Sequence, residues 1–357
     1  MPGATFDALK AEPAVHSSVN SNSFSSGRSL TTHRKSPNRA WDLNLMPGNP
    51  RISVLLPCYN AAGTLRIALA SLLAQTFEDW ECVVVDDGSC DDPGSLVAVV
   101  GDPRIRFIRL DRNRGTGYAR QIALDEAHGE FITMLDADDW LYPRKFELQV
   151  ALLEGNPDLT AISCGMAILK HDCSLAGVRR RVCDDAFVYF GPHKEMERPL
   201  LPFAPAMIRT RAARAHRFDA ELRRAEDLAW LMKILPGCNY GIMPDVLYAY
   251  CEYSSFNPRR AETDLAYEMR IFASYRGRFP MAALKAESYA AFKSVIYRIL
   301  RWCGLAEWPL GRRSFLPSSR EIAAFRQAEA IVRERATAIF GSAVNLQPPE
   351  RDCAFAP

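Results

Sequence analysis

The stretch ISVLLPCYN, residues 52–60, decides the fold, because an unbroken apolar run ends abruptly in polar residues. A strand that is apolar on both faces is typical of a parallel sheet covered by helices on each side. Further strands are predicted at residues 81–85, 105–110 and 131–135. The segments between the four strands are predicted helices, at residues 64–75, 95–100 and 117–127. This alternation predicts right-handed βαβ units and a Rossmann-like first half of the protein.

Strand signals weaken after Leu141, so the second half of the chain is predicted less sharply. We expect a strand over residues 159–169, a connection rich in Pro, Arg and Gly over 170–205, and a helix over 225–235. From residue 261 the pattern is mainly helical, with segments near 261–275, 282–302 and 319–339. The predicted class is α/β, with a mostly parallel sheet flanked by helices and a mainly helical C-terminal region.

Three regions are predicted along the chain. Residues 1–48 are rich in serine and have little apolar surface to bury, so we expect a disordered extension. Residues 49–257 would form the α/β domain. Residues 258–357 would form the helical region, and the boundary is placed near Pro258.

Composition excludes several classes of function. Hydrophobic residues make up 48% of the 357 and charged residues 24%, as in ordinary soluble domains. The 44 basic and 42 acidic residues leave a formal charge of +2, which is far from the strongly basic footprint of a nucleic-acid binder. No run approaches the roughly 18 apolar residues of a membrane-spanning helix. The ten cysteines form no CxxC pair and several lie in apolar runs, which favours reduced thiols in a cytoplasmic protein.

Three of the predicted strands end in polar residues that could carry chemistry. These are PCYN (residues 57–60), DDGS (86–89) and DADD (136–139). Ligands of an open parallel sheet bind beyond the carboxyl ends of its strands, so these groups should converge there. Each motif alone is a common turn or helix cap. Together they bring like charges close to one another, and a divalent cation would stabilise them; carboxylate oxygens suit Mg²⁺ or Mn²⁺.

No glycine-rich phosphate loop follows the first strand, where a dinucleotide-binding fold or a P-loop would place one. The charge of a bound phosphate would therefore be neutralised by the metal and by basic side chains. Arg112, Arg114 and Arg120 are the candidates near this edge, and surface solvation is the alternative for each.

The order of these motifs resembles that of the family 2 glycosyltransferases, the inverting enzymes of the GT-A fold. The resemblance covers roughly residues 50–255. Its motifs are PCYN (57–60), SLLAQTF (71–77), VVDDGS (84–89), NRG (113–115), LDADD (135–139), and FD (218–219) ahead of AEDLAWL (225–231). Each motif alone is unspecific, whereas the ordered combination is highly specific.

The resemblance implies a role for each motif residue. Those expected to bind a nucleotide-diphosphate sugar are Pro57, Tyr59, Asn60, Asp87, Arg114 and Asp136. Asp138 would hold Mn²⁺ or Mg²⁺ on the diphosphate. Asp227 would be the general base that deprotonates an acceptor hydroxyl, with Glu226 as the second choice. The structural alternative for Asp227 is a first-turn carboxylate that faces the helix dipole.

The implied function is metal-dependent, inverting transfer of a sugar to a hydroxyl of a glycan or lipid-linked acceptor, in the biosynthesis of cell-surface polysaccharide. One alternative is a sugar-phosphate nucleotidyltransferase, which would carry a basic loop where residues 60–64 (NAAGT) have no Arg or Lys. The other is a non-catalytic protein that binds nucleotide sugars.

One departure from the family pattern bears on the metal and the closing loop, and the acceptor side is also open. Many relatives carry a histidine shortly after the Glu-Asp helix, whereas residues 250–255 (YCEYSS) contain none. Tyr253 or Glu252 would contact the diphosphate or the metal instead, or the position is unused. The mildly basic C-terminal helices are predicted either to rest on anionic lipid at the inner face of the membrane or to form a solvated cap or dimer surface.

Overall fold

The first half of the sheet follows the predicted βαβ pattern. The structure, a computed structural model, describes residues 48–251, 258–304 and 314–341. Its first elements are β1 (Ile52–Cys58), α1 (Ala62–Leu73), β2 (Trp80–Asp86), α2 (Pro93–Val100), β3 (Ile105–Arg109), α3 (Thr116–Asp125) and β4 (Phe131–Met134). The four strands are parallel and lie in the order β3-β2-β1-β4. Each predicted element is confirmed to within two residues at both ends.

The second half extends the same sheet with mixed pairings. Its elements are β5 (Trp140–Leu141), α4 (Lys145–Gly155), β6 (Leu159–Leu169), β7 (Leu175–Arg179), β8 (Val188–Phe190), β9 (Met207–Arg209), α5 (Thr210–Ala213), α6 (Glu226–Ile234) and β10 (Asn239–Tyr250). The full order is β3-β2-β1-β4-β9-β6-β10-β5, with β7 beside β6 and β8 beside β10. The three-residue β9 pairs antiparallel with both β4 and β6, and it joins the two halves.

The sequence did not predict β10, although β10 forms a long pairing with β6. The strand contains Pro244 and Asp245, and its register against β6 shifts between Ile242 and Val246. A proline cannot donate to the hydrogen-bond ladder, and an irregular strand loses the simple alternation that marks strands in a sequence. The predicted fold class is confirmed, and the antiparallel pairs are concentrated in the half where strand signals were weak.

The core forms two layers, one on each face of the sheet. Along β1, Val54 and Leu56 belong to the layer that α1 and α4 cover, whereas Leu55 belongs to the layer that α3 and α6 cover. Successive side chains of a strand point to opposite faces, so β1 has to be apolar throughout. This arrangement leaves the carboxyl ends of β1, β2 and β4 as the polar edge of the sheet.

Three longer helices follow: α7 (Pro258–Ser274), α8 (Pro280–Trp302) and α9 (Ser319–Phe340). The capping box of Ser318 and Glu321 begins α9, and its apolar side, including Phe325 and Val332, joins the layer that contains α1. The predicted domain boundary near Pro258 stays a prediction. The predicted disordered extension, residues 1–48, lies outside the described residues apart from Gly48.

Candidate active site

The loop after β2 is held by backbone hydrogen bonds. Both oxygens of the buried Asp87 carboxylate accept backbone N–H groups, from Arg114 and Gly115, at 2.7 Å each. Burial raises the pKa of Asp87 above its ordinary value, and these two hydrogen bonds oppose the shift. Gly88 has φ +74°, and a Cβ there would lie 2.6 Å from the backbone carbonyl carbon of Arg112. Only glycine fits this position, so the residues ahead of α3 lie directly against the end of β2.

The loop after β1 is joined to the loop after β2 through Asn60. The Asn60 backbone N–H donates to the Ser89 hydroxyl, and its side-chain oxygen accepts the N–H of Cys90, both at 2.9 Å. Pro57 lies within β1, whereas the Tyr59 ring is 48% exposed. Tyr59 is therefore available to a ligand, while the Asn60 side chain already has a structural partner. The predicted donor contacts of these residues stay predictions.

Arg114 lies at the end of the loop that leads into α3. Its guanidinium lies 3.8 Å from the centroid of the Tyr118 ring and donates a 2.7 Å hydrogen bond to the Tyr118 hydroxyl. This contact holds the exposed guanidinium of Arg114 against the first turn of α3, next to the backbone N–H groups that bind Asp87. The arrangement is compatible with the predicted role of Arg114 at a bound diphosphate.

The turn after β4 is anchored by Asp139, whose role the sequence did not reveal. The buried Asp139 carboxylate accepts the Tyr248 hydroxyl and the Cys251 N–H, both at 2.8 Å. Burial, together with the neighbouring carboxylates of Asp138 and Asp136, holds the pKa of Asp139 well above its ordinary value. The last aspartate of DADD thus ties the turn to β10, while Asp136 and Asp138 remain half-buried.

Arg120 links two of the predicted site residues. One guanidinium nitrogen donates to the Asp136 carboxylate at 2.8 Å, and another donates to Glu226 at 2.6 Å. The guanidinium also lies 4.9 Å from the centroid of the Phe203 ring. The side chain is only 7% exposed, and although burial lowers its pKa, the neighbouring carboxylates outweigh that effect and raise the pKa above its ordinary value. Neither surface solvation nor an open phosphate contact describes Arg120: it is a buried bridge between carboxylates that lie 90 residues apart in the chain.

The two carboxylates at the start of α6 lie in different environments. Glu226 is buried, and desolvation raises its pKa while Arg120 opposes that shift. Asp227 is half-buried, and its carboxylate accepts the N–H of Leu228 at 2.8 Å. The positive end of a helix dipole favours a carboxylate at this position. The structure therefore gives Glu226 a fixed ion pair and leaves part of Asp227 open to solvent.

Two sets of contacts fix the position of α6, one with residues 216–218 and one with α3. Trp230 is fully buried, stacks on Phe218 with the ring centroids 4.5 Å apart, and donates its indole N–H to the carbonyl of His216. A Cβ on Gly117, in the first turn of α3, would lie 3.3 Å from the side chain of Glu226. The α3 helix thus approaches the loop of Asp87 at its start, and through Arg120 it contacts both Asp136 and Glu226.

The acidic groups offer part of a metal site. Within residues 48–251, 258–304 and 314–341, no group of three or more His, Cys, Asp or Glu side chains is arranged to hold a metal ion. A small hard cation in such enzymes is commonly held by one or two carboxylates together with substrate phosphates. The half-buried Asp138 fits that mode. Of residues 250–255, Tyr250 and Cys251 are described, and the predicted contacts of Glu252 and Tyr253 lie outside the described residues.

Comparisons with known proteins agree on one family. The family model "Glycosyl transferase family 2" matches residues 53–219. Succinoglycan biosynthesis protein ExoO of Rhizobium meliloti is 43% identical over 101 residues, which is 28% of this chain and 29% of that protein. The Escherichia coli protein WfgD, a UDP-Glc:alpha-D-GlcNAc-diphosphoundecaprenol beta-1,3-glucosyltransferase, is 36% identical over 105 residues, 29% of this chain and 42% of that protein. The matches thus span less than half the length of these two relatives.

A solved structure shows the same fold over most of the chain. Residues 1–349 of S. aureus TarS, in complex with UDP-GlcNAc, superpose with a TM-score of 0.54 at 20% sequence identity. The match covers 83% of this chain and 88% of that one. At this identity the likeness establishes the GT-A fold. With the family motifs in their predicted order and this fold around them, the predicted resemblance to glycosyltransferase family 2 is confirmed over residues 53–219.

Proposed function

We propose that the protein transfers a glycosyl group from a nucleotide-diphosphate sugar to a hydroxyl of a glycan or lipid-linked acceptor, with inversion at the anomeric carbon and with Mn²⁺ or Mg²⁺ as cofactor. The observation that carries this proposal is the Arg120 bridge, which holds Asp136 of the strand edge beside Glu226 of α6. A transfer enzyme needs its donor groups and its base within reach of one substrate pair.

The donor would bind across the loops that follow β1, β2 and β4. Tyr59 and Asp87 would contact the nucleoside base beside Pro57 and Asn60, and Asp136 would contact the ribose or the sugar. Asp138 would hold the metal, and Arg114 would neutralise part of the diphosphate charge. Bound metal would stabilise the charge that develops on the departing nucleoside diphosphate.

The acceptor hydroxyl would be deprotonated by Asp227. A general base must reach the proton that it accepts, and Asp227 is half-buried whereas the Glu226 carboxylate is buried against Arg120. Glu226 would then act through Arg120, by positioning Asp136. Attack by the hydroxyl opposite the leaving diphosphate inverts the anomeric centre in one step, so no enzymic nucleophile is required.

The class of acceptor is suggested by the relatives. ExoO is named for succinoglycan biosynthesis, and the name of WfgD specifies a sugar acceptor on diphosphoundecaprenol. We infer that this chain acts in the assembly of a cell-surface polysaccharide. A lipid-linked acceptor also fits the surface of α8 described below.

The two alternatives predict different products. A sugar-phosphate nucleotidyltransferase would release pyrophosphate from a nucleoside triphosphate, and the short loop of residues 60–64 has no basic side chain for such a substrate. A non-catalytic protein would bind the donor without turnover. The release of nucleoside diphosphate from a nucleotide sugar separates the proposed function from both.

The direct test is a panel of nucleotide sugars measured by thermal shift with and without Mn²⁺. Because a ligand that binds only the folded state stabilises it, the donor should raise the melting temperature, and more so with Mn²⁺. Asp138→Ala should abolish the effect of Mn²⁺ on donor binding. Asp184→Ala, at an exposed position, is the matched control and should behave as the wild type. Unchanged donor affinity of Asp138→Ala in Mn²⁺ would remove Asp138 from the site.

A further inference from the structure

Helix α8 exposes an apolar stripe over most of its length, with Ser288 between Leu284 and Phe292. Its opposite face is buried, with Ala290 and Tyr297 packed against Leu265 of α7. The exposed members recur at helical spacing over about 32 Å and define the stripe: Met281, Leu284, Phe292, Val295, Ile299 and Trp302. Trp302 is 89% exposed and Met281 is 77% exposed. Exposed apolar side chains that are grouped on one face of a helix in this way mark an interaction site.

The charges on α8 are almost all positive. The helix carries Lys285, Lys293, Arg298 and Arg301 against a single acid, Glu287. That acid is buried and paired with Arg276. Arg298 and Arg301 share one carboxylate, that of Glu262 on α7. Since two cations face one anion there and Lys285 is exposed, the surface around the stripe is net positive.

We propose that α8 docks this protein on an anionic lipid surface, with the stripe in the interface and the basic side chains at the headgroups. A helix with aromatic and aliphatic residues on one face and Lys or Arg beside them binds membranes in this way. None of the described helices combines the length and apolar character needed to cross a bilayer, which agrees with docking in the plane of the surface.

The distribution of charge favours an anionic membrane over a second copy of the chain as the partner of the stripe. A symmetric pair formed through the stripe would bring the basic side chains of two identical helices together, and the only acid of α8 is buried and already paired. Like charges without counterions oppose such a dimer, whereas an anionic membrane supplies the opposite charge. The sequence left both options open, and the distribution of charge favours the membrane.

The position of the stripe connects it to the site. Residues Ile271 and Phe272 of α7 pack in one cluster with Leu228 and Met232 of α6, the helix that begins with Glu226 and Asp227. The α7–α8 pair is therefore mounted on the helix that bears the proposed base. Docking through α8 would bring that helix toward lipid-borne substrates. This step alone rests on the proposed function, because it assumes a lipid-linked acceptor.

The test is flotation of the full-length protein with vesicles, in the absence of donor and acceptor. Vesicles of phosphatidylglycerol and phosphatidylcholine in equal parts should bind the wild type, and pure phosphatidylcholine should bind it much more weakly. Phe292→Glu/Ile299→Glu should lower the partition coefficient by at least about tenfold. The control Val99→Glu/Val182→Glu changes two exposed apolar residues elsewhere by the same charge and should bind as the wild type.

A lysine variant tests the electrostatic part. Lys285→Gln/Lys293→Gln should weaken binding to the anionic vesicles by about fivefold per lysine, and raised salt should reduce that difference. Circular dichroism confirms that each variant is folded, and Phe292→Ser/Ile299→Ser replaces the first variant if it is not. Equal binding by the wild type and the stripe variants, or no binding by the wild type, overturns the proposal. A wild-type dimer that the stripe variants dissociate, seen by light scattering without vesicle binding, assigns the stripe to self-association instead.

No donor or acceptor enters this experiment. Failure of vesicle binding therefore leaves the proposed transfer activity standing, and failure of the nucleotide-sugar panel leaves the docking result standing.

Discussion

The loop after β2 and the start of α6 hold their carboxylates in different ways. Asp87 is bound by two backbone N–H groups, which remain whatever side chains residues 114 and 115 carry. Asp136 and Glu226 depend on one side chain, the guanidinium of Arg120. The proposed nucleotide-sugar side of the site is thus fixed by the local chain path, whereas its link to α6 depends on the two ion pairs of Arg120.

The largest effect is expected from Arg120→Met, which breaks the junction. Removing one partner of a buried ion pair leaves its carboxylates unpaired and costs about 3–5 kcal/mol. We expect the free energy of unfolding, measured with urea, to fall by that amount, and Mn²⁺-dependent donor binding to weaken.

A double variant shows whether the unpaired carboxylate charge causes the loss of stability in Arg120→Met. Arg120→Met/Glu226→Gln should recover part of the lost free energy, because glutamine carries no charge to be left unpaired. If the double variant is as unstable as the sum of the two single changes, the ion pair is not what holds α6 to the sheet.

Lys145 is a second buried cation, and it differs from Arg120 because its hydrogen-bond partners are neutral. The Nζ of Lys145 donates to the side-chain oxygens of Thr133 and Gln149, and burial lowers the pKa of Lys145 to about 8. The unfolded chain holds this proton up to a pKa of about 10.4, so stability should rise between pH 8 and pH 10.4. The gain relative to Lys145→Met should approach about 3 kcal/mol at the upper limit.

The measurement is the free energy of unfolding of both proteins across this pH range. Subtracting the Lys145→Met curve removes the contributions of the other groups that titrate at alkaline pH. Parallel curves would show that burial imposes no penalty on the Lys145 charge.

A smaller loss of stability is expected from changes to the backbone of the loop after β2, on the proposed nucleotide-sugar side. Gly88 and Gly237 have nearly the same conformation, with φ +74° and +77°. A Cβ placed on Gly88 would clash with the backbone of Arg112, whereas a Cβ placed on Gly237 would have nothing within 4 Å. Gly237→Ala should cost about 1 kcal/mol for strain alone. Gly88→Ala should cost about 2 kcal/mol more, because the backbone at Arg112 must move.

Thermal unfolding of the two alanine variants provides the comparison. Equal losses of stability would mean that the loop before α3 moves away without cost, so that it does not hold Asp87 tightly.

The sequence predicted the first four strands because each carries a local signal. β1, β2 and β4 are largely apolar runs that end in polar turns, and β3 (IRFIR) mixes apolar and basic residues. The sequence could not predict β9, which has three residues, or β10, whose pattern Pro244 interrupts. Within the site, too, the sequence showed local motifs but not contacts between residues that are distant in the chain. The three acidic and polar strand ends were visible as motifs, but Arg120 looked like one of three arginines at a surface. Its partners lie 16 and 106 residues away, and only the packing of α6 against α3 brings them together.

We propose that the strand-end carboxylates and the carboxylates of α6 form one site in which they have separate functions. Asp227→Asn tests it most directly, with donor affinity and the release of nucleoside diphosphate measured on the same preparation, using the donor and acceptor identified for the wild type. We expect unchanged donor affinity and a turnover lower by about 10²–10⁴, the usual effect of losing a general base. Near-normal turnover would contradict it.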